Sequence, residues 1–185
     1  KYLKKNSINA EVIKINGSDF EFTQTLLDAE VDAELGRPSY IQVAFANDGL
    51  TGYIATLSND GSAEQIGGGF NVYPVYYKTT DGGDNWEGPF FVQLDGPNGI
   101  GGIVNHHLTD EAIAELFEAP VPARDEISYT TAFDMNIAVD ANGNLHMAVM
   151  IAPTGSDPFS IVTAAGYLAA VDIFTTDGGT TWTDK

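Results

Sequence analysis

From Tyr40 onward, hydrophobic and polar positions alternate along the chain. Tyr40 to Ala46 alternates, Asn47-Asp48-Gly49 supplies a turn, and Tyr53 to Leu57 returns. A period of two predicts strands with one face turned to a core. Ser58 to Gly69 is polar and glycine-rich, hence a loop. Phe70 to Tyr77 and Phe90 to Leu94 complete a run of four strands, enough for one antiparallel sheet. The order then recurs. Met135 to Val139, the turn Asp140-Ala141-Asn142-Gly143-Asn144 and Leu145 to Ile151 match the first hairpin, and Tyr167 to Phe174 matches the third strand. Gly49 and Gly143 lie 94 positions apart, Asp81 and Asp177 96 apart. That period is about twice the 40–50 residues of several familiar structural repeats.

The excess sits in an insertion over residues 96–127, where Thr109 is placed to cap a helix. Asp110 and Glu111 suit its first turn, and Ile113, Leu116 and Phe117 form an apolar stripe that ends before Pro120 and Pro122. Upstream, Glu11 to Ile15 and Phe20 to Thr23 flank Asn16-Gly17-Ser18-Asp19 and predict a hairpin. Leu27, Val31 and Leu35 then recur at helical spacing, with Gly36 and Pro38 to end the helix. The organisation expected is an N-terminal segment (1–37), a four-stranded unit (38–95), the helical insertion (96–127) and a second such unit (128–185) whose last strand has barely begun at Thr183.

Two stretches share one pattern: Thr79-Thr80-Asp81-Gly82-Gly83-Asp84-Asn85-Trp86 and Thr175-Thr176-Asp177-Gly178-Gly179-Thr180-Thr181-Trp182. Each follows an apolar, aromatic run. Gly-Gly supplies positive φ, Asp before it can accept from turn amides, and Trp can fold back as an apolar lid. The pattern S/T-x-D-x-G-x-x-W resembles the Asp-box, or bacterial neuraminidase repeat, of sialidase-like β-propellers. That resemblance covers the two boxes and their flanking strands. It implies an all-β fold of antiparallel four-stranded blades, about two of them here, with one helical insertion and residues 1–37 as part of a preceding blade. It also implies that Thr79, Asp81, Gly83, Trp86, Thr175, Asp177, Gly179 and Trp182 are structural, on turns away from the binding face. A secreted or cell-surface location follows from the same resemblance. Function does not, because propellers with this box do many unrelated things.

Composition narrows the partners. The chain has 185 residues, 43% hydrophobic and 18% charged, ample for a globular core. Its net charge of −18, from 26 acidic against 8 basic residues, disfavours nucleic acid and anionic membrane. No apolar run approaches the roughly 18 residues of a membrane span. Cysteine is absent, which removes disulfide and thiol chemistry. A chain that opens at Lys1 with no leader segment is expected to be processed or excerpted.

Candidate chemistry is sparse. A sialidase needs three arginines on one carboxylate, and only Arg37 and Arg124 are present. Arg37, followed by Pro38, is a weak candidate for binding. Asp140, Asn142 and Asn144 alternate as oxygen donors and suggest calcium, but Ile151 stands where a closing Glu is needed, and Asn142-Gly143 is a hairpin turn in its own right. No other cofactor is expected. His106 and His107 would point to opposite faces of a strand, and His146 lies on another, so these three do not predict zinc. Tyr73, Tyr76 and Tyr77, near Phe90 and Phe91, would stack on a sugar if exposed and form core if buried.

The expectation is therefore a non-catalytic propeller segment that binds glycan or protein, its ring closed by the remainder of the propeller or by other copies. The alternative is a fragment of a sialidase-like glycoside hydrolase with its catalytic residues mostly elsewhere. Two guanidinium groups cannot stand in for three bidentate-capable ones around a sugar acid, so the purified chain should not turn over a fluorogenic sialoside. Turnover that Arg37→Ala or Arg124→Ala abolishes would refute this.

Overall fold

A computed structural model describes residues 7–16, 18–28, 39–58, 71–96, 99–155, 161–162 and 166–185. Antiparallel sheet dominates. Strands β1 (Ser7–Asn16) and β2 (Asp19–Asp28) form a long hairpin, closed by the pair Asn16 and Asp19. The alternation around that turn predicted it. Leu27, however, lies in β2 opposite Ile8 and is buried, so a helix beginning at Leu27 is not what forms at that residue. At that position the cross-strand ladder decides the conformation. Val31, Leu35, Gly36 and Pro38 lie outside the described residues.

The first four-stranded sheet runs β3 (Ser39–Phe45), β4 (Gly52–Ser58), β5 (Tyr73–Thr79) and β6 (Glu87–Phe91), in sequence order. The second repeats this with β7 (Tyr129–Val139), β8 (Leu145–Pro153), β9 (Ala169–Phe174) and β10 (Thr183–Asp184). Strand β6 starts and stops earlier than the apolar run Phe90 to Leu94 suggests, although the Val92 amide still donates to the Pro74 carbonyl at 2.9 Å. Each first hairpin is tied at its turn by one aspartate. Asp48 Oδ1 accepts from the Leu50 and Thr51 amides, and Asp140 Oδ1 from the Asn142 and Asn144 amides.

The insertion carries two short helices rather than one. The helix α2 (Asp110–Leu116) begins at Thr109, whose hydroxyl accepts from the Ala112 amide at 3.2 Å, and it buries Ile113. Ahead of it, α1 (Ile103–His107) buries Ile103 and Val104 and starts from Gly102 at φ 85°. Five residues leave no helical period to read, which is why the pattern missed it.

The sheets pack through β3 and β4 against β7. Tyr53, Leu57 and Tyr76 of the first sheet share a core with Met135, Met147, Ile151 and Ile173 of the second. On the first sheet's other side, Ile54, Tyr77 and Trp86 close over Ala10 and Leu27 of the hairpin. Strand β4 is consequently buried at all seven positions. A polar seam joins the two sheets: the Thr131 amide donates to the Val72 carbonyl at 2.9 Å, and the Tyr53 hydroxyl to the Gly143 carbonyl at 2.8 Å.

One step is repeated along this stack. A Cβ on Gly83 would stand 2.7 Å from Val12 Cγ2 in the hairpin, and one on Gly179 would overlap the Tyr76 hydroxyl in the first sheet. Each turn therefore seats its second glycine on the unit before it. Both glycines are also at positive φ, 93° and 105°. Gly179→Ala should cost about 2 kcal/mol or more, backbone strain plus displacement of Tyr76. Gly49→Ala has the strain (φ 67°) but an open site, and should cost about 1–2 kcal/mol. Equal losses by urea denaturation would show that Gly179 does not set the spacing between the sheets.

Candidate functional site

The turns that the sequence singles out are built from the threonine outward. Thr79 ends β5, Thr175 follows β9, and both are buried. The Thr79 hydroxyl donates to Asp81 Oδ1 at 2.8 Å and accepts from the Gly83 amide at 2.9 Å. Asp81 in turn accepts from the Asn85 amide at 2.9 Å and the Asn85 side chain at 2.7 Å. The second turn repeats these contacts. Thr175 donates to Asp177 at 2.8 Å and accepts from the Gly179 amide at 2.9 Å. Asp177 accepts from the Thr180 and Thr181 amides, both at 2.9 Å, and from the Thr181 hydroxyl at 2.6 Å. Both carboxylates are thus spent on their own turns. Trp86 and Trp182 lie back over Gly83 and Gly179, and Trp182 meets the Tyr76 ring edge-on at 5.4 Å.

The tyrosines resolve the other way from a sugar platform. Tyr73, Tyr76 and Tyr77 are 2%, 3% and 2% exposed, so they are core and cannot stack on a ligand. Tyr76 packs against Tyr53, Phe90 and Trp182, and burial above all pushes its hydroxyl up to about 12. Arg37 lies outside the described residues. Arg124 is committed to the insertion: Nη1 donates to the Val104 and Leu108 carbonyls at 3.3 and 2.8 Å, and Nη2 to Asp110 at 2.5 Å. In the candidate calcium loop both Asp140 oxygens are used within the turn, Oδ1 by the Asn142 and Asn144 amides and Oδ2 by Asn144 Nδ2 at 3.0 Å.

One cluster was not legible in the sequence. His106 and His107 lie on the last turn of α1, and Asp184 of β10 reaches both. Asp184 Oδ1 is 3.0 Å from His106 Nδ1, and Oδ2 is 2.7 Å from His107 Nε2. The Asp184 side chain is 2% exposed, with the histidine side chains at 51% and 18%. Two imidazole nitrogens around one buried carboxylate can share protons or ligate a cation. The third histidine is elsewhere: His146 pairs with Asp172 at 2.9 Å and stacks on Phe174. Adjacent histidines after Gly101-Gly102 were the only available signal, and treating them as strand residues separated them.

Set against protein-family models and against curated proteins, the chain matches none.

The turn carboxylates carry a pH signature. Hydrogen bonds from the Asn85 side chain first, then its amide and the Thr79 hydroxyl, hold Asp81 at about 2 against an ordinary 3.8. Thr181, through side chain and then amide, and Thr175 hold Asp177 lower still. A depressed folded-state value means that folding favours the charged form. The stabilisation is full above pH ~4 and drains as the pH falls through about 2. Thermal melts of the Asp81→Asn, Asp177→Asn double variant should lose part of the wild-type fall in Tm between pH 4 and 2. An unchanged slope would mean that these turns do not contribute to acid lability.

Proposed function

We propose that the two sheets are neighbouring blades of a sialidase-like β-propeller, and that the chain is a non-catalytic, protein-binding module of a secreted or cell-surface protein. The observation that carries this reading is the repeated step between units. Gly83 and Trp86 of the first Asp-box seat on the β1–β2 hairpin as Gly179 and Trp182 of the second seat on the first sheet. A radial stack of four-stranded sheets requires such a step between blades. The hairpin then occupies the place of a preceding blade.

Protein is favoured over glycan as the partner by what lies open. The hairpin packs Ala10 and Leu27 inward, yet its other face carries Ile13, Phe20, Phe22 and Leu26, exposed by 54%, 60%, 64% and 47%. Ile13 and Phe22 face each other across the strands. A strand pair apolar on both faces suits a position between two sheets. Further blades, of the same polypeptide or of other copies, would cover it. The buried tyrosines offer no comparable surface to a sugar. A catalytic reading gains nothing from Arg124, which is spent on carbonyls and Asp110.

Light scattering after size exclusion tests this. The purified chain should self-associate above its 19.7 kDa, and Phe20→Asp with Phe22→Asp should return it towards the monomer. A wild-type chain that is soluble and monodisperse at 19.7 kDa would overturn the reading in favour of a closed two-sheet sandwich.

A further inference from the structure

We propose that His106, His107 and Asp184 form a binding site for a divalent transition-metal ion, with Zn²⁺ the best fit, that fastens the insertion to the last strand of the second sheet. The donor set is the first argument. Two imidazole nitrogens and one carboxylate suit Zn²⁺ and its neighbours, whereas Ca²⁺ and Mg²⁺ call for all-oxygen sites.

Geometry is the second. The three donor atoms lie within 4.8 Å of one another. Consecutive helical residues point about 100° apart, given 3.6 residues per turn, and would ordinarily diverge. Here the rings stand at 81° with centroids 6.2 Å apart, and each offers a different nitrogen. His106 uses Nδ1, close to its backbone, and His107 uses Nε2, at the far end of the ring, so both reach one carboxylate. Ligands about 2.0–2.2 Å from a tetrahedral ion stand roughly 3.3 Å apart. Asp184 Oδ2 stands 2.7 Å from His107 Nε2 and 3.3 Å from His106 Nδ1, so one oxygen is already near ligand spacing from both nitrogens.

Burial is the third. The Asp184 side chain is 2% exposed, and among the described residues its ion-pair partners are these two imidazoles. A buried carboxylate gains from a facing cation, and a dication held by the two imidazoles would stand against it. Three protein ligands leave a fourth position, and the half-exposed His106 opens it to water. The link also joins segments distant in sequence. Strand β10 has only two residues paired to β9 and lies 77 positions beyond His107.

The test uses the whole chain, stripped with EDTA and titrated with Zn²⁺ by calorimetry at neutral pH. Millimolar Mg²⁺ is kept present to occupy the acidic surface. One ion per chain is expected, with a rise in Tm. His106→Ala and Asp184→Asn should each weaken binding about 100-fold or more, as expected when a ligand rather than an outer partner is lost. His146→Ala should leave it unchanged. His106 is half-exposed, so its variant keeps the test decisive if Asp184→Asn fails to fold. Absence of uptake, or uptake that survives His106→Ala in folded protein, would overturn the proposal.

Discussion

The structure depends on a missing side chain. Where Gly179 lies against the Tyr76 hydroxyl and Gly83 against Val12, any Cβ would push one unit away from the next. The buried threonine two residues before each aspartate makes that approach permanent. Its hydroxyl binds the glycine amide and the aspartate together, so the turn presents a bare backbone to its neighbour. The indole of Trp86 or Trp182 then covers the turn glycine and extends the apolar contact. Complete burial of β4 follows, with the hairpin on one side and the second sheet on the other.

Close approach alone would permit the sheets to slide. A buried polar seam sets their register. Asp95 Oδ2 accepts from the Tyr129 amide at 2.6 Å, Asn71 donates to Ser128 at 2.6 Å, and Thr154 donates to Asn71 at 2.8 Å. The Val72 amide meets the Thr130 hydroxyl at 2.9 Å. Burial pushes the Asp95 carboxyl up against the lowering by the Tyr129 amide, the mark of a carboxylate kept for its position. Such groups tolerate few alternative pairings, because each displaced partner would leave a buried polar atom unmet.

The insertion is braced by side chains that look ionic in sequence and serve as struts. Arg124 gathers the carbonyls that end α1 and ties them to Asp110 at the start of α2. Asp184 reaches back from β10 to the histidines of α1. Four more acidic side chains are likewise occupied: Asp48, Asp81, Asp140 and Asp177 accept from the amides of their own turns. The net charge of −18 is in this respect partly the cost of making tight turns with aspartate.

Local chemistry was legible from residues alone. Alternation marked the strands, Asp with Gly marked the turns, Thr109 marked the cap of α2, and the duplicated Thr-Thr-Asp-Gly-Gly marked a repeat, because each is decided within a few residues. Whether Tyr76 met solvent or Trp182 was not decided there, since both faces of β5 look alike until a second sheet arrives. The same held for Leu27, where spacing suits a helix and only the partner strand made it extended. His106, His107 and Asp184 needed most from the fold. Some 77 residues separate the histidines from the carboxylate, and only packing of the insertion against β10 brings them within hydrogen-bond reach.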